Sequence, residues 1–345
     1  MKALVYHGPG RRSWEEVPKP ELQAATDAIV RVDAVTICGT DLHILKGDVP
    51  EVQPGRILGH EAVGTVEHVG AAVTGIKPGD RVLVSCISAC GRCQYCRTGV
   101  YGQCQGGGGW ILGHLVDGTQ AEYVRVPFAD TSTHLLPDGV ATEAAVMLAD
   151  ILPTAYEVGV LNGHIGPGDT VVIVGAGPIG LAAIQTAQLY GPSHIIAVDY
   201  AESRLDAAKQ FGADITVNAN EDVAAVVMQA TGGQGADTAI EAVGVPESFE
   251  LCTRLIRPDG HVANVGVHGK PATLHLEDLW IRNVTITTGL VDTVSTPTLL
   301  RMLAAGRLDA TKFITHRFGL SEMDEAYDVF AHPADSGALK VVLFA

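Results

Sequence analysis

The sequence predicts an α/β protein in which a β-rich body precedes a doubly wound parallel sheet. Three observations carry that prediction. From residue 1 to about 150, short Val- and Ile-rich runs alternate with Pro-Gly and Gly-Asp turns, the texture of a barrel or a sandwich. From Gly168 onward, strands alternate with helices, which is how parallel sheets with helical crossovers are built. A glycine-rich turn joins the first strand and helix of that alternating part. At 345 residues and 47% apolar content, the chain is long enough for two domains with cores of their own.

Taken in order, Met1–Tyr6 reads as a short strand entering a turn, not as a charged head followed by a long apolar signal segment. Ala28–Val32, Ala62–Val69 and Arg81–Val84 are further strands of the body. In the alternating part, strand Val171–Val174 and helix Ile179–Leu189 are followed by strand Ile195–Val198 and helix Ser203–Phe211. Ala239–Ala242 and His261–Val265 are two more strands with a helix between them. The last stretch ends in an apolar strand, Ala338–Phe344, expected to return to the first domain. No run approaches the roughly 18 apolar residues of a membrane helix. The net charge of −16 would repel phosphate backbones and anionic lipid, so no nucleic-acid or membrane partner and a cytoplasmic location are expected.

The turn is Thr170-Val-Val-Ile-Val-Gly175-Ala-Gly177-Pro178-Ile179-Gly180, between a buried strand and a helix. In that context Gly175 makes the tight turn, Gly177 lets the backbone approach a pyrophosphate, and Gly180 permits close helix–strand contact. The helix start, with Pro178 and Ile179, offers free N–H groups and a positive dipole end to phosphates. Nineteen residues after Gly180 the second strand ends at Asp199, whose carboxylate can accept both ribose hydroxyls of NAD and would repel the 2′-phosphate of NADP. The bland alternative is a turn with a helix-capping Asp. Tyr200 follows directly, and Arg204 either reaches the ribose or lies on a solvated helix face.

Four of the seven cysteines, Cys90, Cys93, Cys96 and Cys104, fall within fifteen residues. Such clustering favours metal over disulfides, and four thiolates make a closed, structural zinc site. An iron–sulfur cluster is the alternative, but no Cys-Pro follows and the downstream spacing does not fit. Cys86 and Cys252 read as ordinary buried thiols. A second constellation lies at Cys38-Gly39-Thr40-Asp41-Leu-His43 and Gly59-His60-Glu61. Alone, Cys38 is a small buried residue and His60 a core histidine; together they supply a thiolate and an imidazole with carboxylates nearby. A catalytic zinc needs three protein ligands and an open position. Asp150 is a candidate third ligand, or else the cap of a helix beginning at Ile151.

These motifs together resemble the zinc-containing medium-chain dehydrogenase/reductase family. Gly59-His60-Glu61-x-x-Gly64-x-x-x-x-x-Gly70-x-x-Val73 is similar to its zinc signature, and the cysteine lobe, glycine turn and Asp199 follow in the family's order. The resemblance implies a GroES-like β-barrel catalytic domain at 1–153 and 292–345, with a zinc lobe at about 86–110, around a Rossmann NAD-binding domain at 154–291. It implies Cys38 and His60 as catalytic-zinc ligands, Thr40 as the hydroxyl beside the substrate oxygen, and His43 as the solvent end of a proton relay. It further implies that Asp41 orients the zinc-bound imidazole and that Glu61 approaches the metal transiently. Val265, Gly266 and Val267, at a strand end, are expected to bring backbone groups to the nicotinamide carboxamide, and Trp110 to wall the substrate pocket.

Two departures stand out. Asp150 takes the place of the cysteine that many family members use as third ligand, as in bacterial secondary-alcohol dehydrogenases, which often lack the lobe cysteines and prefer NADP. Gly39 stands where some members carry Arg or His to touch the pyrophosphate, leaving that contact to Lys340 or the helix N-terminus. The implied chemistry is zinc-dependent, NAD-linked interconversion of a small, secondary alcohol and its ketone or aldehyde, with two zinc ions per chain in a homotetramer or homodimer. Hydride passes from the alcohol at the zinc to nicotinamide. L-threonine or a polyol as substrate, a zinc-free enone reductase, and a zinc-ribbon binding protein are the alternatives.

Overall fold

In the computed structural model, which describes all 345 residues from Met1 to Ala345, the chain divides into two units. One joins Met1–Pro153 to Val291–Ala345, and the other is Thr154–Leu290. The first begins with a hairpin, β1 (Lys2–Tyr6) and β2 (Arg12–Glu16). Next comes β3 (Ala28–Thr36), buried at every position but Arg31 and Asp33. It pairs on both edges, with β4 (Ala62–Val69) on one and, through Ala34, Val35 and Thr36, with a later strand of the tail on the other. Strands β5 (Arg81–Val84), β6 (Tyr123–Val126) and β7 (Thr133–Leu135) complete this part. Gly64 on β4 has no room for a side chain: a Cβ there would meet the Arg31 carbonyl of β3.

The second unit holds six parallel strands, β8 (Thr170–Val174), β9 (His194–Asp199), β10 (Ile215–Asn218), β11 (Ala236–Glu241), β12 (Ile256–Asn264) and β13 (Thr285–Thr288). Their order, β10-β9-β8-β11-β12-β13, reverses direction at β8. In such sheets the crevice at the carboxyl ends beside the reversal is where ligands bind. All five residues of β8 are buried, as expected of a strand covered on both faces. Crossover helices Pro178–Ala187, Glu202–Phe211, Val223–Ala230 and Pro246–Leu255 separate the strands.

Several element ends differ from expectation for local reasons. The first helix starts at Pro178, whose fixed φ suits a first helical position, and ends at Ala187 where the chain tightens into a 3₁₀ turn before Gly191. Strand β11 starts at Ala236, ahead of the expected Ala239. Strand β12 starts at Ile256, five residues ahead of expectation, because Pro258-Asp259-Gly260 forms an irregularity with Asp259 at φ 63° that reads as a loop.

The tail re-enters the first unit. Strands β14 (Ile314–Gly319) and β15 (Lys340–Phe344) flank the helix Met323–Ala331, and β15 pairs antiparallel with β3, Val342 opposite Thr36. The sheet is thus ordered β14-β15-β3-β4-β5-β7, with β6 also on β3. Its core includes Leu4, Val30, Val35, Leu58, Tyr327 and Leu343. No helix is long and apolar enough to cross a membrane.

Candidate active site

Beyond β3, Cys38 occupies the N-cap of the helix Gly39–Lys46, and that helix ends on Gly47 in the left-handed region. The positive end of the helix dipole therefore lies at Cys38, where it works against the burial that disfavours thiolate. His60 and Glu61 immediately precede β4, and Asp150 precedes the short helix Ile151–Thr154. Here the fold converges these residues: one donor atom each from Cys38, His60, Glu61 and Asp150 lies within 4.8 Å of the others. Cys38 Sγ is 3.5 Å from Asp150 Oδ2, and His60 Nε2 is 3.4 Å from the same oxygen. Tetrahedral zinc, with about 2.3 Å to sulfur and about 2.0 Å to nitrogen or oxygen, sets donors roughly 3.3–3.5 Å apart. The residues fit the ion. The electrostatics fit as well. Burial, then the Asp150 charge, pushes the Cys38 thiol up, and burial raises the Glu61 carboxyl against the opposing pull of Lys340. Anionic donors crowded away from water are what a divalent cation relieves.

Around this cluster the expected roles divide. Thr40 Oγ1 lies 3.6 Å from Cys38 Sγ, and half-buried His43 shares a 2.9 Å Nδ1–Oδ2 contact with Asp48. Trp110 stands with its edge toward His60, ring centroids 6.3 Å apart, and stacks on His114 at 4.2 Å. Lys340, expected at the cofactor pyrophosphate, is held beside Glu61. Its side chain is 1% exposed, and Nζ donates to the Ile37 carbonyl at 2.8 Å and to both Glu61 carboxylate oxygens at 2.8 and 3.1 Å. A lysine so placed is a countercharge to Glu61. Asp41, expected to orient the imidazole, makes its hydrogen bonds to other groups. Its Oδ2 accepts from the Cys38 amide at 2.9 Å and from Gln120 Nε2 at 3.1 Å, while Oδ1 is buried without a hydrogen-bond partner. Asp41 holds the ligand loop.

In the lobe, Cys90, Cys93, Cys96 and Cys104 likewise bring their sulfurs within 4.8 Å of one another. Cys90 and Cys96 Sγ are 3.9 Å apart, close to the roughly 3.8 Å that four-sulfur zinc requires. Backbone amides point at the sulfurs, Cys93 N to Cys90 Sγ at 3.4 Å and Cys96 N to Cys93 Sγ at 3.5 Å. The amide of Cys96 is the main reason the Cys93 thiol is lowered to about 6. Gly106 is required here, since a Cβ would strike Cys90 Sγ.

In the second unit, Gly175 turns at φ 99° after β8, and a Cβ on Gly180 would collide with the Gly175 carbonyl. Gly177, the N-cap of the next helix, has nothing within 4 Å of where a Cβ would be. That opening, beside Pro178, Ile179 and the unpaired N–H groups of the helix start, is a cradle a phosphate can fill. Asp199 ends β9; its Oδ2 accepts from Ala176 N at 2.9 Å and its Oδ1 from Ala201 N at 2.9 Å. Arg204 Nη1 is 3.7 Å from Asp199 Oδ2, and Tyr200 is exposed. Val265, Gly266 and Val267 follow β12 at its carboxyl end, Val267 exposed.

Three residues went unsuspected. Cys86, read as an ordinary thiol, is buried but sets its Sγ 3.6 Å from Asp150 Oδ1. Gln120 and Tyr327 join the site from loop and tail, and nothing in their local sequence marks them. Their signal is the fold itself.

A mononucleotide-type sheet carrying a phosphate cradle and a unit with one open and one closed four-donor site define a metal-dependent dehydrogenase class. Comparison with known proteins gives the family. A model described as the alcohol dehydrogenase GroES-like domain matches residues 24–138, and one described as zinc-binding dehydrogenase matches residues 178–305. An alcohol dehydrogenase of Cupriavidus necator is 38% identical over 99% of this chain and 98% of its own length. The NADP-dependent isopropanol dehydrogenase of Thermoanaerobacter brockii is 35% identical over 95% of both. The zinc-dependent alcohol dehydrogenase 2 structure from Streptococcus pneumonia superposes with TM-score 0.95 at 50% identity, covering 100% of this chain and 98% of that one. The chain belongs to the zinc-containing medium-chain dehydrogenase/reductase family, and it is an alcohol dehydrogenase of that family.

Proposed function

We propose that this enzyme interconverts a small secondary alcohol and its ketone with NAD, using zinc at Cys38, His60 and Asp150 and a second, structural zinc in the cysteine lobe. The observation that carries the reading is the three-ligand convergence on Asp150 Oδ2, 3.5 Å from Cys38 Sγ and 3.4 Å from His60 Nε2, beside a wall of Trp110. When bound, zinc supplies a Lewis acid that lowers the alcohol pKa, and nicotinamide supplies the hydride acceptor.

The chain's own residues do the rest. The Thr40 hydroxyl takes the alcohol proton, and His43, half-buried and paired with Asp48, delivers it toward water. Lys340 keeps Glu61 charged and in place inside the site. Trp110, stacked on His114, supplies bulk and no hydrogen-bond acceptor for an extra hydroxyl, which favours plain alcohols over polyols. Gly175, Gly177 and the helix N-terminus bind the pyrophosphate, and Asp199 the adenosine ribose. Backbone groups of Val265, Gly266 and Val267 meet the carboxamide.

The experiment is a screen of secondary alcohols, diols, L-threonine and polyols with NAD and with NADP, read at the NADH absorbance band. Highest kcat/KM for a simple secondary alcohol with NAD is expected. Turnover confined to L-threonine or a polyol would overturn the substrate assignment.

A further inference from the structure

Buried hydrogen bonds tie the Cys38 loop to the C-terminal helix Met323–Ala331. Asp41 Oδ2 accepts from Cys38 N at 2.9 Å and from Gln120 Nε2 at 3.1 Å, and Gln120 Oε1 accepts from the Tyr327 hydroxyl at 2.8 Å. Gln120 is 0% and Tyr327 1% exposed. At the outer end, the Arg12 guanidinium lies over the Tyr327 ring, 4.6 Å from its centroid, and pairs with Asp324 and Asp328.

The chemistry of the middle member gives this chain a direction. A carboxamide has a donor end and an acceptor end, and in a buried site either can face a neighbour. Asp41 is an acceptor only, so the amide turns Nε2 toward it, and the Tyr327 hydroxyl, donating to Oε1, satisfies the end left facing the tail. Without that hydroxyl, Oε1 would be a buried acceptor with no donor, and a flipped amide would set oxygen against the Asp41 carboxylate. Asp41 in turn fixes the Cys38 amide at the N-cap of its helix. We propose that Tyr327 and Gln120 are positioning residues for the Cys38–His60–Asp150 metal site: the tail holds Gln120 in the orientation that Asp41 requires, and through Asp41 supports the placement of the Cys38 thiolate. This rests on the reading of those three residues as a zinc site.

The test measures zinc release to a chromogenic chelator from the whole enzyme and from Tyr327→Phe, Gln120→Leu and the double variant. Cobalt(II)-substituted samples assign each release step, since a four-thiolate site and a one-thiolate site differ in their charge-transfer bands. The expected result is a ten- to hundredfold weaker hold on the metal at the Cys38 site in Tyr327→Phe, the range typical of lost outer-sphere partners, with the lobe unaffected. In the Gln120→Leu background, Tyr327→Phe should add little, because no amide remains to orient. Unchanged release at the Cys38 site in Tyr327→Phe overturns the proposal, as does equal acceleration at both sites, which marks general destabilisation. An unmodified enzyme holding metal in the lobe alone overturns the zinc-site reading and this inference with it.

Discussion

On the proposed reading, Asp199 carries the cofactor choice. Its two oxygens already accept from Ala176 and Ala201, yet each oxygen keeps a lone pair for a ribose hydroxyl. A 2′-phosphate would bring about two negative charges within a few ångströms, at a cost of a few kcal/mol. Arg204, 3.7 Å away and partly exposed, is the one cation paired with Asp199, and exposure weakens its effect. NAD is therefore expected to be preferred by about a hundredfold in kcat/KM. Asp199→Asn, which keeps an acceptor for Ala176, should erase most of the preference, and Arg204→Ala should deepen it. Steady-state ratios for the two cofactors decide, and equal efficiency in the unmodified enzyme would show that Asp199 does not face the ribose. Lys340 makes the second prediction at this scale. Lys340→Met leaves Glu61 buried without its countercharge, a loss of about 3–5 kcal/mol that urea unfolding should report, with Lys340→Met/Glu61→Gln recovering much of it. The sequence alone does not reveal this ion pair, because the partner is 279 residues away.

Elements were legible where their signals are local. The lobe cysteines lie within fifteen residues, so spacing alone suggests the four-sulfur site that the chain brings together. The strand–turn–helix around Gly175 announced itself in the same way, and the parallel sheet followed from the alternation after Gly168. The open site was different. Cys38 and Asp150 are 112 residues apart and meet only through tertiary structure, so family resemblance rather than spacing pointed to them. The Gln120–Tyr327 bond, across 207 residues, left no trace in pattern or resemblance. Two outcomes are expected at this scale. Cys90→Ser should lose one zinc per chain by elemental analysis and lower the melting temperature, because a structural zinc contributes folding free energy. An unchanged metal count would sink the lobe assignment. Gly180→Ala drives a Cβ into the Gly175 carbonyl and must push the turn open. The phosphate cradle should then bind NADH at least tenfold more weakly by fluorescence titration, while both zinc ions stay.

For the molecule as a whole, the charge of −16 argues against polyanionic partners, but it does not argue against self-association, which depends on local surfaces. One such surface is the outer edge of the six-stranded sheet. Strand β13, Thr285–Thr288, pairs with β12 on one side only, and the chain just before it exposes Leu276, Trp280 and Ile281, Trp280 to 75%. An edge strand with free N–H and C=O groups is ordinarily blunted by charge, proline or a bulge; the sequence Thr-Ile-Thr-Thr carries none of these. Contiguous exposed apolar side chains beside such an edge mark an interaction site rather than a solvated face. A second copy related by a two-fold axis would present the same antiparallel edge and the same apolar residues, satisfying both at once. The enzyme should therefore sediment as a homodimer or homotetramer at micromolar concentration. Thr287→Pro, which removes an N–H from β13, and Trp280→Glu, which places a charge in the patch, should each shift it toward monomer. A monomer in the unmodified protein, or variants that leave the sedimentation coefficient unmoved, would show that this edge faces solvent.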